Sequence, residues 1–505
     1  MQTALSAGFI LAIVLWGVIS PDTMGPLFET ALATVTRNFG WFYLWVVLGM
    51  VVFVAFLAFS RYGNLKLGGD DDEPEFALGS WFSMLFAAGM GIGLVFFGVA
   101  EPISHYIEAP PGTVSNTPEA AGAAMRYTFF HWGIHPWAVY SAVALAIAFF
   151  QYRRGGVALV STVTDALPWP IVKHMGGFFN GLAVVATAFG VAASLGVGAL
   201  QINNGLNTVF GLQVSEASQI GIIVLATVMF LGSAVSGVTR GVKILSNANM
   251  SLAALLALAV FILGPTVAII DTLTSTLGNY VTEFVRMSLR ATPFRDSTWV
   301  GSWTIFYWAW WISWSPFVGL FIARVSRGRT IREFILGTML APTLAAFIWF
   351  SIFGGTALHM QIWQQIPIAD AVRADTATAL FAMFDAMPFG TLMSGVATLL
   401  VVVFFVTSGD SAVLVLSMMS SGGNPNPSTR TKLLWGGLIA GIAISLLLAG
   451  GLKALQTATI VFAVPFSLVI ILMLISLWRG VREDWTAHEK QERELRRRVR
   501  QIVEK

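Results

Sequence analysis

The chain has 505 residues, 56% of them hydrophobic and only 11% charged, with a mean hydropathy of +0.75. Repeated apolar runs longer than a bilayer is thick exclude a soluble globular fold and predict an all-α polytopic membrane protein. The net charge of +3 is spread over loops and tail and gives no sign of nucleic-acid binding, while the lack of Cys excludes disulfides, thiolate metal sites and cysteine nucleophiles.

About twelve transmembrane helices are predicted, over 5–19, 41–60, 79–106, 126–152, 177–210, 218–238, 242–269, 299–323, 331–357, 388–419, 433–450 and 454–478. The first apolar run starts almost at once without a Lys/Arg-rich lead, so it reads as a span and not as a cleaved signal peptide. Arg153, Arg154, Lys173, Arg240, Lys243, Arg324, Arg327, Arg329, Arg332, Arg430 and Lys432 all fall on the side that holds the C-terminal tail. By the positive-inside rule both termini are cytoplasmic, in a multi-pass protein of the cell's inner (plasma) membrane.

In the third span, Gly89, Gly91 and Gly93 alternate within Ala87-Ala88-Gly89-Met90-Gly91-Ile92-Gly93, which predicts unwinding of the helix or close packing of a neighbour on small residues. Further along, Glu101 precedes Pro102 near the span end and reads as an interfacial capping group. The fourth span carries His131-Trp132-Gly133-Ile134-His135-Pro136-Trp137-Ala138-Val139-Tyr140, where a helical turn sets Trp137 beside Tyr140. For His131 and His135, polar packing or interfacial hydrogen bonding is favoured over a metal role. The stretch 272–290 is amphipathic and reads as a surface helix along the outer interface, not as a span.

The eighth span holds Trp303, Trp308, Trp310, Trp311 and Trp314 together with Phe306, Tyr307 and Phe317. Helical spacing stacks Trp311 over Trp314, and Pro316 is expected to break the helix beside them. Tryptophans in membrane proteins also form interfacial belts or fill helix contacts. Aromatic faces at mid-helix, however, hold quaternary ammonium groups by cation–π attraction without a carboxylate. Two broken spans, the third and the eighth and so one five-span repeat apart, point to two structural repeats around a central substrate site. In the tenth span Thr407 and Ser408 are hydroxyls able to ligate an ion or to bond back to the preceding turn, and Asp410 reads as a structural hydrogen-bonding group. No phosphate-cradling motif and no nucleophile and base pair is found, which disfavours ATP-driven pumping and an enzyme and leaves an ion gradient or exchange as energy source. Beyond Trp478 the chain is densely charged, including Arg496-Arg497-Arg498. This tail predicts a cytoplasmic helix, either binding anionic lipid at about 1 kcal/mol per basic residue or simply solvated.

These motifs, with Ser326-Arg327-Gly328-Arg329-Thr330-Ile331-Arg332-Glu333-Phe334 and Thr407-Ser408-Gly409-Asp410-Ser411, resemble the betaine/choline/carnitine transporter family over nearly the whole chain. The resemblance implies a leucine-transporter-type 5+5 inverted repeat and a homotrimer. Its parts are two peripheral N-terminal helices with a cytoplasmic loop (1–76), a first five-helix repeat (77–270), an interfacial helix (271–297), a second repeat (298–478) and the charged C-terminal helix (479–505). It further implies an aromatic box of Trp132, Trp137, Tyr140 and Trp311 around a trimethylammonium group. Trp308, Trp310, Trp314 and Phe317 would line the pathway or pack, and backbone N–H groups of the break (Ala88, Met90, Gly91, Gly93) would receive a substrate carboxylate.

A coupling sodium is implied between carbonyls of Ala87, Met90 and Phe404 and the hydroxyls of Thr407 and Ser408. For a second sodium site Thr187 matches but Val191 replaces the other threonine, and Asn249 stands where sodium-independent exchangers carry arginine. Gly93, where choline carriers tend to place aspartate, favours a zwitterion. The implied function is therefore sodium-coupled symport of glycine betaine. Alternatives are a dimethylsulfoniopropionate or carnitine carrier, a sodium-independent exchanger, a proton-coupled choline transporter or, from another class, a gated channel. In osmotically regulated relatives the basic C-terminal helix acts in activation.

Overall fold

The computed structural model describes residues 2–89, 91–236, 239–294 and 298–503, and these are almost entirely helical. In chain order the helices are α1 Gln2–Ile19, α2 Pro21–Phe59, α3 Leu78–Gly89, α4 Ile92–Ile107, α5 Pro118–Trp132, α6 Ile134–Ala148, α7 Val160–Thr164, α8 Pro170–His174 and α9 Gly176–Phe210. They continue with α10 Glu216–Ser236, α11 Thr239–Leu263, α12 Thr266–Ser288, α13 Phe306–Arg324, α14 Ile331–Trp363, α15 Ile368–Ala374, α16 Ala379–Asp385, α17 Gly390–Ser420 and α18 Thr429–Val503.

Local signals set many boundaries. Thr117 accepts from the Ala120 N–H with Pro118 in the first turn of α5, and Thr330 and Glu333 close a reciprocal capping box on α14. Gly211, at φ +72°, terminates α9 in the left-handed conformation that glycine adopts without steric cost.

Among the described residues, nine helices are long and apolar enough to cross a membrane. Three features account for the difference from the twelve expected. The apolar part of α1 is short, α3 and α4 are one span broken in the middle, and α18 holds two segments folded sharply at Gly450 and Gly451. Outward faces of α10 and α11 expose Leu225, Val228, Leu255, Leu258 and Ile262, as faces turned to lipid do. By contrast α9 is buried over most of its length and packs between α17 and α18, while α6 packs on α13 and α4 on α5 and α14.

The helix expected on the surface over 272–290 is α12, and it is more than a surface ornament. Its inward stripe of Thr276, Tyr280 and Met287 docks on α5 and α14. Tyr280 Oη accepts from the Ile134 N–H at 3.3 Å and Ser288 Oγ lies 2.8 Å from His135 Nε2, so α12 braces the junction of α5 and α6.

Beyond Trp478 the last helix continues without a break into the charged tail. Its first turns are tied down, since Arg153 donates to Asp484 at 2.7 Å and to Asp70 at 2.8 Å, and Arg154 reaches Asp484 at 2.6 Å. Arg153 thereby holds the Asp70 carboxyl below the usual carboxylate range. The side chains of Arg240, Lys243, Arg496 and Arg498 lie outside the described residues.

Candidate functional site

The break in the third span lies at the expected glycines. Gly91, with φ −151° and ψ −142°, is extended and starts α4 without a side-chain cap, so the first N–H groups of α4 have no intrahelical acceptor. Met90 lies outside the described residues, as do the side chains of Ala87 and Ala88, whose backbone belongs to α3. Two residues into α4, a Cβ on Gly93 would stand 2.9 Å from Trp310 Cη2 and 3.0 Å from Trp132 Cη2. The α4 backbone therefore touches two indole edges directly, and only hydrogen fits between.

A second break, at Gly133, was not legible in the periodicity of the fourth span. It separates α5 from α6, and a Cβ there would stand 2.5 Å from the Phe129 carbonyl oxygen and 2.8 Å from Phe347 Cε1. The interruption frees carbonyls at the end of α5. That of His131 accepts from Trp311 Nε1 at 3.0 Å, which fixes the indole of Trp311 across the interface between α5 and α13.

The four box aromatics are brought together. Trp311 lies 5.0 Å from Trp132 edge-on and 6.1 Å from Tyr140, and Tyr140 lies 5.5 Å from Trp137. All four are buried, and among the described residues the Tyr140 hydroxyl has no hydrogen-bond partner. Trp310 joins them, stacked on Trp311 at 5.0 Å with the rings 10° from parallel, and its Nε1 donates to Ser194 Oγ at 3.2 Å.

Other aromatics of the cluster sit elsewhere. Trp308 stacks on His135 at 5.1 Å on a different face of α13. The expected stacking of Trp314 on Trp311 is corrected: Trp314 turns to α9, donates to the Gly190 carbonyl at 2.8 Å and pairs with Phe317 at 5.5 Å. The three-residue step places the two on one side, but Trp314 is drawn to the Gly190 carbonyl, where the lack of a side chain lets the indole lie against α9.

The expected break at Pro316 is also corrected, because α13 runs through it. The missing proline N–H leaves the Ile312 carbonyl without its donor, and Ser315 Oγ donates to that carbonyl at 2.7 Å instead. The broken span of the first half thus faces a continuous helix in the second.

Glu101 is not an interfacial cap. It is fully buried, two turns beyond Gly93 on the same face of α4. Trp132 Nε1 donates to its Oε2 at 2.7 Å and the Tyr307 hydroxyl to the same oxygen at 2.5 Å, while His131 Nδ1 and His105 Nε2 lie 2.7 and 3.1 Å from Oε1. His131 Nε2 lies 3.0 Å from Thr304 Oγ1. The ligand-type atoms of Glu101, His105 and His131 fall within 4.8 Å of one another, and the two Glu101–His contacts, at 2.7 and 3.1 Å, are hydrogen-bond distances. Glu101 and Tyr307 were missed as site residues. The spacing of 93, 97 and 101, one helical turn each, and Tyr307 one turn before Trp311 are the signals that would have found them.

At the expected sodium position, Ser408 Oγ stands 3.8 Å from where a Cβ of Gly91 would lie, so α17 faces the break. Phe404 is buried, and Thr407 Oγ1 donates back to the Val403 carbonyl at 2.9 Å and to that of Phe404 at 3.3 Å. On α9, Thr187 is buried and its hydroxyl has no partner among the described residues, nor does that of Ser313 on α13 or either amide atom of Asn249 on α11. Asp410, one turn beyond Thr407 on α17, is half-buried.

Gly93→Ala tests how tight the box is. The added methyl meets two rigid indoles, and overpacking of this kind costs about 1–3 kcal/mol. The expected result is at least a tenfold loss of apparent affinity in uptake assays with the protein still folded.

Broken helix, buried aromatic cluster and lipid-facing helices define a multi-pass membrane protein with a candidate binding site where the cluster meets the break. Residues 2–486 match the family described as BCCT, betaine/carnitine/choline family transporter. The chain is similar to the glycine betaine transporter OpuD of Bacillus subtilis, 49% identical with 95% of this chain and 94% of that protein covered. It is also similar to an ectoine/hydroxyectoine transporter of Virgibacillus pantothenticus (44%, covering 94% and 95%) and to the betaine/ectoine transporter LcoP of Corynebacterium glutamicum (41%, covering 95% and 77%). The chain belongs to the betaine/carnitine/choline transporter family, and it is a transporter and not an enzyme.

Proposed function

We propose that the protein is a sodium-coupled symporter of glycine betaine. The observation that carries this reading is the meeting of Trp132, Trp137, Tyr140 and Trp311 beside the α3–α4 break. Methyl groups bearing a delocalised positive charge suit aromatic faces, and the open N-terminus of α4 suits a carboxylate a few ångströms away. The box draws on α5 and α6 from one half of the chain and α13 from the other, so rocking of the halves in a 5+5 inverted repeat would open it to alternate sides. Gly91 opposite Ser408 supports a sodium between the break and α17. A homotrimer, cytoplasmic termini and osmotic activation through the α18 tail complete the reading.

Ectoine is the second substrate reading, since two of the similar proteins carry it in their names. Uptake of labelled glycine betaine into proteoliposomes, driven by sodium or by equimolar potassium and challenged with ectoine, dimethylsulfoniopropionate, carnitine or choline, tests both. Sodium-driven accumulation displaced by unlabelled glycine betaine before ectoine is expected. Uptake that ignores sodium and needs internal substrate would make the protein an exchanger, and non-saturable, non-concentrative flux would make it a channel.

A further inference from the structure

Glu101 carries a consequence for substrate choice that rests on the reading of the aromatic cluster as the ammonium site. The carboxylate is wholly enclosed, and no lysine or arginine reaches it: its titratable partners among the described residues are His105, His131 and Tyr307. Indole N–H can only donate, so Trp132 must give its proton to Oε2. Thr304 stands on the far nitrogen of His131 and can donate to it, which leaves Nδ1–H for Oε1. With His105 in its Nε2–H tautomer and Tyr307 donating its O–H, each carboxylate oxygen receives two donors and the group needs no proton of its own.

A buried negative charge held only by neutral donors is compensated in charge when a cation arrives nearby. The donors are themselves walls of the site. Trp132 lies 5.0 Å from Trp311, Tyr307 lies 5.7 Å from Trp311 and 5.7 Å from Trp132, and both give their N–H or O–H to the same oxygen. Donation to an anion pushes electron density into a ring and strengthens its face for a cation. We infer that Glu101 is a specificity-determining residue, a counter-charge behind the aromatic wall that selects a cationic head group over a neutral one of the same shape.

The test uses two ligands of equal size, glycine betaine and its carbon isostere tert-butylacetate, which keeps the carboxylate and lacks the cation. Competition against labelled glycine betaine is measured on purified full-length wild type, Glu101→Gln and Glu101→Asp. Glutamine keeps the shape, and the imidazoles can switch tautomer to accept from its amide, so the variant is expected to fold. The expected result is that Glu101→Gln weakens glycine betaine at least tenfold and tert-butylacetate less than twofold, while Glu101→Asp keeps the wild-type preference even if both ligands weaken. Equal weakening of both ligands in Glu101→Gln, or loss of the preference in Glu101→Asp, would reduce Glu101 to a support for Trp132 and overturn the inference. If Glu101→Gln does not fold, Glu101→Asn measured against Glu101→Asp makes the same comparison of charge at equal shape: selective weakening of glycine betaine in Glu101→Asn upholds the inference, and equal ligand ratios in the two overturn it. Failure of the wild type to bind glycine betaine would be seen before any variant and would overturn the functional reading itself.

Discussion

Trp311→Ala is expected to abolish glycine betaine uptake, lowering it more than a hundredfold at subsaturating substrate. Trp311 is the ring that joins the others, facing Trp132, Tyr140, Tyr307 and Trp310 at 5.0 to 6.1 Å. Its removal takes away one cation–π face, worth about 2 kcal/mol when desolvated, and leaves the remaining rings free to collapse into the space. Truncating a buried aromatic also costs about 3–5 kcal/mol of stability, so thermal unfolding of the variant has to be measured beside transport. Trp311→Phe separates the two effects. It keeps an aromatic face but loses the hydrogen bond to the His131 carbonyl, and it is expected to restore part of the uptake with a raised KM. Full activity of a folded Trp311→Ala protein would remove the box from the account.

The second large effect is on the ion. Ser408→Ala is expected to raise the sodium concentration for half-maximal uptake more than tenfold, with Thr407→Ala adding to it. The hydroxyl of Ser408 faces Gly91 across the break, whereas that of Thr407 is engaged with carbonyls of its own helix and would have to turn to meet an ion. Binding of glycine betaine at saturating sodium is expected to change less than threefold, because neither hydroxyl belongs to the aromatic cluster. Sodium activation that is unchanged in the double variant would place the coupling ion elsewhere. Thr187 and Ser313, both buried with unpartnered hydroxyls, would then be the next residues to replace.

Much of this arrangement was legible in the residues, and the exceptions have physical causes. Alternating glycines announced the α3–α4 break because nothing but glycine lets Gly93 lie against Trp132 and Trp310. The step from Trp137 to Tyr140 announced their contact because both lie on one unbroken stretch of α6. Pro316 misled because a single hydroxyl, Ser315, takes the carbonyl that proline leaves free, and periodicity carries no information on such repairs. Gly133 was overlooked for the opposite reason: its break depends on Phe347, more than two hundred residues away in sequence, whose ring fills the place of a side chain. Glu101 looked like a span-end acid, since its partners on α5 and α13 appear only when the helices are packed.

Whether the aromatic cluster is the substrate site is decided by equilibrium binding of labelled glycine betaine to the purified protein, in sodium and in potassium, for wild type and Trp311→Ala. Saturable binding that sodium tightens and that Trp311→Ala removes is expected. Binding of the same strength in both proteins would contradict it.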